Sequence, residues 1–117
     1  MSYVSGFVAA VPTANRSAYV EHAAIALEFF KEHGALSVME AWGVDVPDGE
    51  TTSFPMAVRA REDETVVLSW IVWPSREVAD RAMRGMGDDP RFAGDGKPMP
   101  FDGRRLIWGG FEPVLEG

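Results

Sequence analysis

No cysteine occurs among the 117 residues. Disulfides, thiolate metal sites and cysteine nucleophiles are therefore excluded. Basic charge is also scarce: 11 Lys and Arg stand against 18 Asp and Glu, for a net charge of −7. A nucleic-acid interface needs clustered cations against phosphates. The nearest approach to one is Arg104 beside Arg105, read here as a solvated strand end. Long apolar runs are missing too. Nothing approaches the roughly 18 consecutive apolar residues of a membrane-spanning helix. The opening MSYVSGFVAAV lacks the basic flank of a signal peptide and reads as a strand. Solenoid repeats and low-complexity tracts are absent. One domain over residues 1–117, in the cytoplasm and without nucleic acid or membrane as partner, is the expectation.

Apolar residues make up 46% of the chain, four of them tryptophan. Their spacing gives the elements. YVSGFVAAV, residues 3–11, alternates as a first strand and stops at Pro12. Residues 13–34 read as a helix, with Thr13 or Asn15 as its cap and Gly34 as the left-handed residue beyond its end. Residues 35–46 form a second strand. Residues 53–61 read as a short helix capped by Ser53, with a short strand as the alternative. TVVLSWIVW, residues 65–73, is the clearest strand. Pro74 and Ser75 then stop it and start a helix whose apolar stripe is Val78, Ala82, Met83 and Met86. Residues 87–103 are a long loop rich in Pro, Gly and Asp, and RRLIWGGFEPV is the last strand. The order β-α-β-(short element)-β-α-β is the ferredoxin-like arrangement, an α+β fold with two helices on one face of an antiparallel sheet.

Such a sheet should alternate into polar residues on its uncovered face. Here it does not. Val66, Leu68, Trp70 and Val72 lie on one side of the third strand, and Val67, Ser69, Ile71 and Trp73 on the other. Val4, Gly6, Val8 and Ala10 oppose Tyr3, Ser5, Phe7, Ala9 and Val11 in the first. An apolar face of that size needs a cover, and the same face of a second copy supplies one with two-fold symmetry. Gly109 and Gly110, adjacent in the last strand, then thin the sheet where Trp108, Phe111 or a partner chain must fit. The alternative is a simple bulge.

The segments YVSGFVAAVPTANRSAYVEHA, HGALSVMEAWGVDVPDGETTSFPMAV, ETVVLSWIVWPSREVAD and MPFDGRRLIWGGFEPV together resemble the small bacterial YbaA-like family, a family of unknown function. The resemblance runs over nearly the whole chain, and none of its blocks is a catalytic motif. It implies a dimeric α/β barrel, in which two ferredoxin-like sheets pack face to face. It implies no activity, because fold likeness transfers none.

Candidate chemistry is sparse. His22 and His33 are eleven positions apart, so about 16 Å separates them along a helix axis. They cannot share one metal ion, and neither a metal nor a cofactor is expected. His33 lies in the last helical turn, where the helix dipole favours a cation, and reads as structural. His22 shares a helical face with Ala18, Ile25, Ala26 and Phe29. Glu40 lies in a strand among Leu36, Val38, Trp42 and Val44, where burial without a partner would raise its pKa. His22 and Glu40 are the only sensible acid–base pair, with Arg59, Arg61 or Arg104 as alternative partners for Glu40. Trp42, Trp70 and Trp108 are core or interface residues, or else the walls of a pocket for a flat apolar molecule. Phosphate loops, serine-nucleophile signatures and calcium loops are absent. Three functions follow as expectations. The first is a small-molecule binder with a pocket between helix one and the sheet lined by His22, Glu40, Trp42, Trp70 and Trp108. The second is a cofactor-independent oxygenase or isomerase using His22 and Glu40. The third is a structural dimer.

Overall fold

The computed structural model describes residues 2–92 and 99–117. The centre of the expected 87–103 loop, residues 93–98, lies outside them. Four strands and three α-helices are described: β1 (Tyr3–Pro12), α1 (Arg16–Glu32), β2 (Ser37–Trp42), α2 (Phe54–Ala57), β3 (Glu64–Trp73), α3 (Arg76–Met86) and β4 (Ile107–Phe111). Their order in the sheet is β2-β3-β1-β4, with every neighbouring pair antiparallel. This α+β arrangement is compatible with the ferredoxin-like expectation.

Local chemistry sets most element ends. Ser53 caps α2, its Oγ accepting from the Met56 amide at 3.1 Å. Ser75 caps α3 in the same way from the Val78 amide at 3.3 Å. Gly34 ends α1 with φ +103, which only glycine adopts at no steric cost. The start of α1 differs from expectation. Thr13–Asn15 form a separate 3-10 turn, and the Asn15 side chain caps nothing, because its amide donates instead to the Pro100 carbonyl at 2.9 Å. His33 does close α1, with Nδ1 2.9 Å from the Phe29 carbonyl and its ring stacked at 4.0 Å on the Phe29 ring.

Register sorts the strand residues onto two faces. Tyr3, Ser5, Phe7, Ala9 and Val11 pair with Trp73, Ile71, Ser69, Val67 and Thr65. Val38, Glu40 and Trp42 continue this face on β2. The helices cover it. Phe29, Phe30, Ala79 and Ala82 pack on Ile71 and Trp73, while Tyr19 packs on Ala9, Val11 and Val67. The opposite face carries Val4, Gly6, Val8 and Ala10 against Val72, Trp70, Leu68 and Val66, flanked by Met39 and Ala41 on β2 and by Ile107, Gly109 and Phe111 on β4.

The last strand is shorter than expected. Gly103–Arg105 form a 3-10 turn capped by Asp102, whose carboxylate accepts from the Arg104 amide. That turn corrects the reading of Arg105 as a solvated strand end. It folds the Arg105 side chain, 13% exposed, against the Glu64 carboxylate, 3% exposed. Two N–H···O bonds of 2.7 and 2.6 Å join them, and Arg105 also donates to the Arg59 carbonyl at 2.8 Å. A planar guanidinium suits this two-pronged geometry.

The glycine pair forms no bulge. β4 keeps continuous register with β1, Gly110 opposite Ser5 and Gly109 opposite Gly6. Each glycine makes room for an aromatic ring of its own chain. A Cβ on Gly110 would lie 2.6 Å from Tyr3 Cζ, on the helix side. Cβ atoms on Gly6 and Gly109 would meet the Phe111 ring at 3.2 and 3.4 Å, on the open side.

Candidate functional site

The polar centre of the helix-covered face lies where α1 crosses β2 and β3. Glu40 and Ser69 are register partners across those strands. Tyr19, one turn into α1, reaches down and donates its hydroxyl to Glu40 Oε1 at 2.6 Å. The Ser69 hydroxyl lies close enough to both to lower their pKa values slightly. Burial pushes the Glu40 carboxyl above its ordinary pKa, and the hydroxyls of Tyr19 and Ser69 recover only part of the shift. The Tyr19 phenol is pushed up by burial first and then by the hydrogen bond and charge of Glu40. At neutral pH Tyr19 is therefore protonated and serves as the hydrogen-bond donor to the Glu40 carboxyl group.

His22 stands beside this pair. Its ring meets Phe101 edge-on at 6.3 Å, and Phe101 in turn lies 5.7 Å from the Tyr19 ring. Burial alone lowers its pKa. The acid–base pairing of His22 with Glu40 is not what the side chains form: Glu40 takes Tyr19, neither the histidine nor one of the arginines. The space between α1 and the sheet at this point is occupied by Tyr19, Ala23, Phe101 and Leu106.

Nor do the tryptophans converge. Trp42 sits on β2 under the Arg16 guanidinium, 5.4 Å from its ring centre. Trp108 is on β4, at the other edge of the sheet, 73% exposed and opposite Phe7. Trp70 faces the open side, between Gly6 and Met39. Trp73, at the end of β3, is fully buried, with Nε1 donating to Ser5 Oγ at 3.1 Å.

Tyr19 is the residue that sequence reasoning missed. Its signal was the 19, 23, 26, 30 spacing, one helical stripe. Val20, Ile25 and Leu27, all substantially exposed, blur that stripe by making α1 apolar on several sides.

Two clefts open at the far end of β2, beside the segment 43–57. One, of about 390 Å³, is lined by Val44, Asp48, Pro55, Arg61, Glu62 and Glu64 among others. The other, of about 170 Å³, is lined by Trp42, Val46, Phe54, Val66 and Leu68 with Ala41 and Gly43. Among the described residues no cluster of three or more His, Asp or Glu is placed to hold a metal ion. No helix among the described residues is long and apolar enough to cross a membrane.

Known proteins match the chain over its length. The uncharacterized protein YbaA of Escherichia coli (strain K12) is 54% identical over 116 residues, 99% of each chain. The uncharacterized protein YbaA of Shigella flexneri matches with the same identity and coverage. A family model described as a protein of unknown function (DUF1428) matches residues 2–103. With nearly nine-tenths of its length inside that match, the chain belongs to the DUF1428 family.

Proposed function

We propose that this protein works as a homodimeric domain, two copies joined through the open faces of their sheets into a dimeric α/β barrel. The observation that carries this is the chemistry of the uncovered face. Leu68, Ile107, Met39 and Phe111 are 38, 44, 47 and 58% exposed, with Val4, Val8, Trp70 and Val72 half-buried between them. Four strands about 4.8 Å apart and some 25 Å long give a face of roughly 500 Å², of which the end at Ala10 and Val66 is already buried with Val58 and Ala60. Monomers rarely leave a larger apolar patch than about 300–600 Å² exposed, and a standard interface covers about 800 Å² per partner. The face is of the right order for a self-complementary interface, and its strands present no like charge to repel a second copy.

The acid–base enzyme reading has less support, because Glu40 is bonded to Tyr19 and not to His22. Sedimentation equilibrium at micromolar protein tests the dimer. The expected mass is twice the chain mass of 12.8 kDa. Ile107→Glu, which sets a charge on the open face of an edge strand, is expected to give a folded monomer. A monomeric wild type at that concentration would overturn the reading.

A further inference from the structure

The two clefts beside β2 share Gly43, Val46 and Val66 and so form one continuous groove. Its two ends differ in chemistry. The smaller end is lined by the apolar residues Ala41, Val46, Phe54, Val66 and Leu68, with Trp42 and Gly43. Its 170 Å³ is close to the roughly 150 Å³ of an apolar cavity that holds one benzene ring. The larger end, of about 390 Å³, falls within the range of about 300–1,000 Å³ for small-molecule sites. It carries the charged side chains Asp48, Arg61, Glu62 and Glu64.

The floor between the ends is fixed. The Gly43 amide donates to the Val66 carbonyl at 2.9 Å, and a Cβ at Gly43 would fall 2.7 Å from that carbonyl oxygen and 3.0 Å from Val46. Residue 43 is thus a place where any side chain would collide with the backbone of β3 and with Val46. The charges are not all available. Glu64 is engaged by Arg105. Among the described residues Asp48, Glu62 and Arg61 enter no ion pair (Arg76, Arg91, Arg104 and Arg105 account for those found). Two free carboxylates against one guanidinium leave the polar end net negative.

From this juxtaposition we infer that the groove is a binding site for a small amine carrying one aromatic ring, the ring seated against Val46, Phe54 and Val66 and the ammonium group facing Asp48 and Glu62. An anionic ligand of the same shape meets one cation and two repelling carboxylates. A bare amine forgoes the apolar end, and a bare ring leaves the carboxylates unanswered.

The probe is 2-phenylethylamine, titrated against the amide resonances of Gly43, Val46 and Val66, with phenylacetate and ethylamine as controls. The expected result is saturable shifts at these amides for phenylethylamine, at least tenfold tighter than for either control. Phe54→Ser, at a half-exposed position that the core does not use, is expected to weaken binding about tenfold. Asp48→Asn with Glu62→Gln is expected to abolish the preference over phenylacetate while leaving the fold intact. Absence of shifts with phenylethylamine at about 10 mM, well above the range in which fragment-sized ligands register, overturns the inference. So does phenylacetate binding as tightly as the amine. Mass measured in the same samples reports the dimer separately, so either reading can fail without the other.

Discussion

The two faces of the sheet invert the usual arrangement. A half-covered antiparallel sheet turns its polar residues to the open side. Here Ser5, Glu40 and Ser69 point under the helices, and the open side, between Ser37 and Glu64 at its ends, presents apolar side chains and glycine, with the Trp70 indole as its one polar side-chain group. The buried polar groups on the covered face have partners: Ser5 takes the Trp73 indole, and Glu40 takes the Tyr19 hydroxyl. Hydrogen-bonded groups can be buried at small cost, whereas an uncovered apolar face gains free energy from whatever covers it. Polarity therefore does not tell the faces apart in this chain. Packing does, and the two faces should respond differently to the same kind of substitution.

The largest contrast lies between neighbours in β3. Trp73 is fully buried on the covered face, while Val72 beside it is half-buried on the open one. Trp73→Ala removes a filled core position and is expected to cost about 3–5 kcal/mol. It also leaves the Ser5 hydroxyl without its donor. Val72→Ala is expected to cost about 1 kcal/mol or less, since part of that side chain is in water already. Urea denaturation in the Ile107→Glu background reports the single protomer and removes the concentration dependence of a dimer. Equal losses for the two variants would break the distinction between the faces.

The adjacent glycines make the same comparison one step smaller. Gly110→Ala drives a Cβ into the Tyr3 ring, over which the Arg76 guanidinium lies at 5.9 Å. The expected cost is about 1–3 kcal/mol through overpacking. Tyr3→Ala in the same chain should relieve most of it, a coupling that a double-mutant cycle measures. Gly109→Ala meets the exposed Phe111 ring at 3.4 Å, which that ring can yield, and should cost well under 1 kcal/mol. Equal costs at the two positions would show that backbone freedom, not ring packing, fixes these glycines.

Much of this fold was legible from period alone. The period-2 runs placed β1 and β3, and Ser53, Ser75 and Gly34 marked helix ends through chemistry local to them. The two faces of β3 followed from alternation, so the apolar open face was visible before any coordinates. What long-range contacts decide was not. Asn15 has the type of a cap but spends its amide on Pro100, 85 residues away. Arg105 reads as solvated beside Arg104, yet a 3-10 turn delivers it to Glu64, 41 residues back. In the site, Glu40 stood out as a carboxylate among apolar neighbours, but its partner did not. Tyr19 lies on a helix apolar on several sides, where no stripe singles out the residue that reaches the sheet.

The Glu64–Arg105 bond sets a smaller, pH-dependent difference. Arg105 holds the Glu64 carboxyl below its ordinary pKa, chiefly by hydrogen bonding. A folded value below the unfolded one gives stability that is present above the unfolded pKa and lost as pH falls through the folded one. Arg105→Gln is expected to flatten that acid limb in urea midpoints taken from about pH 6 down to about pH 3, the interval in which ordinary carboxyls titrate. An unchanged slope would mean that the pair adds nothing in solution.

Glu40 has the opposite sign, and here the smallest effect is the most informative. Burial raises its carboxyl above the unfolded value. Its favourable contribution is therefore present below the unfolded pKa and is lost as pH rises through the folded one. The Tyr19 hydroxyl works against that loss, because it donates to the charged form. Tyr19→Phe removes the donor and keeps the ring that packs on Ala9, Val11 and Val67. The Glu40 titration should move further up, followed by carbon-detected NMR of the carboxyl. Stability should fall by about 0.5–1.5 kcal/mol where Glu40 is charged, the usual worth of one hydrogen bond. At a pH low enough to protonate Glu40 that penalty should shrink, since a neutral carboxyl needs the donor less. A purely steric role for Tyr19 would give the same loss at both pH values and leave the titration in place. A shifted titration with a pH-dependent loss would instead establish that the covered face holds a carboxylate by hydrogen bonding, where the open face has nothing to hold.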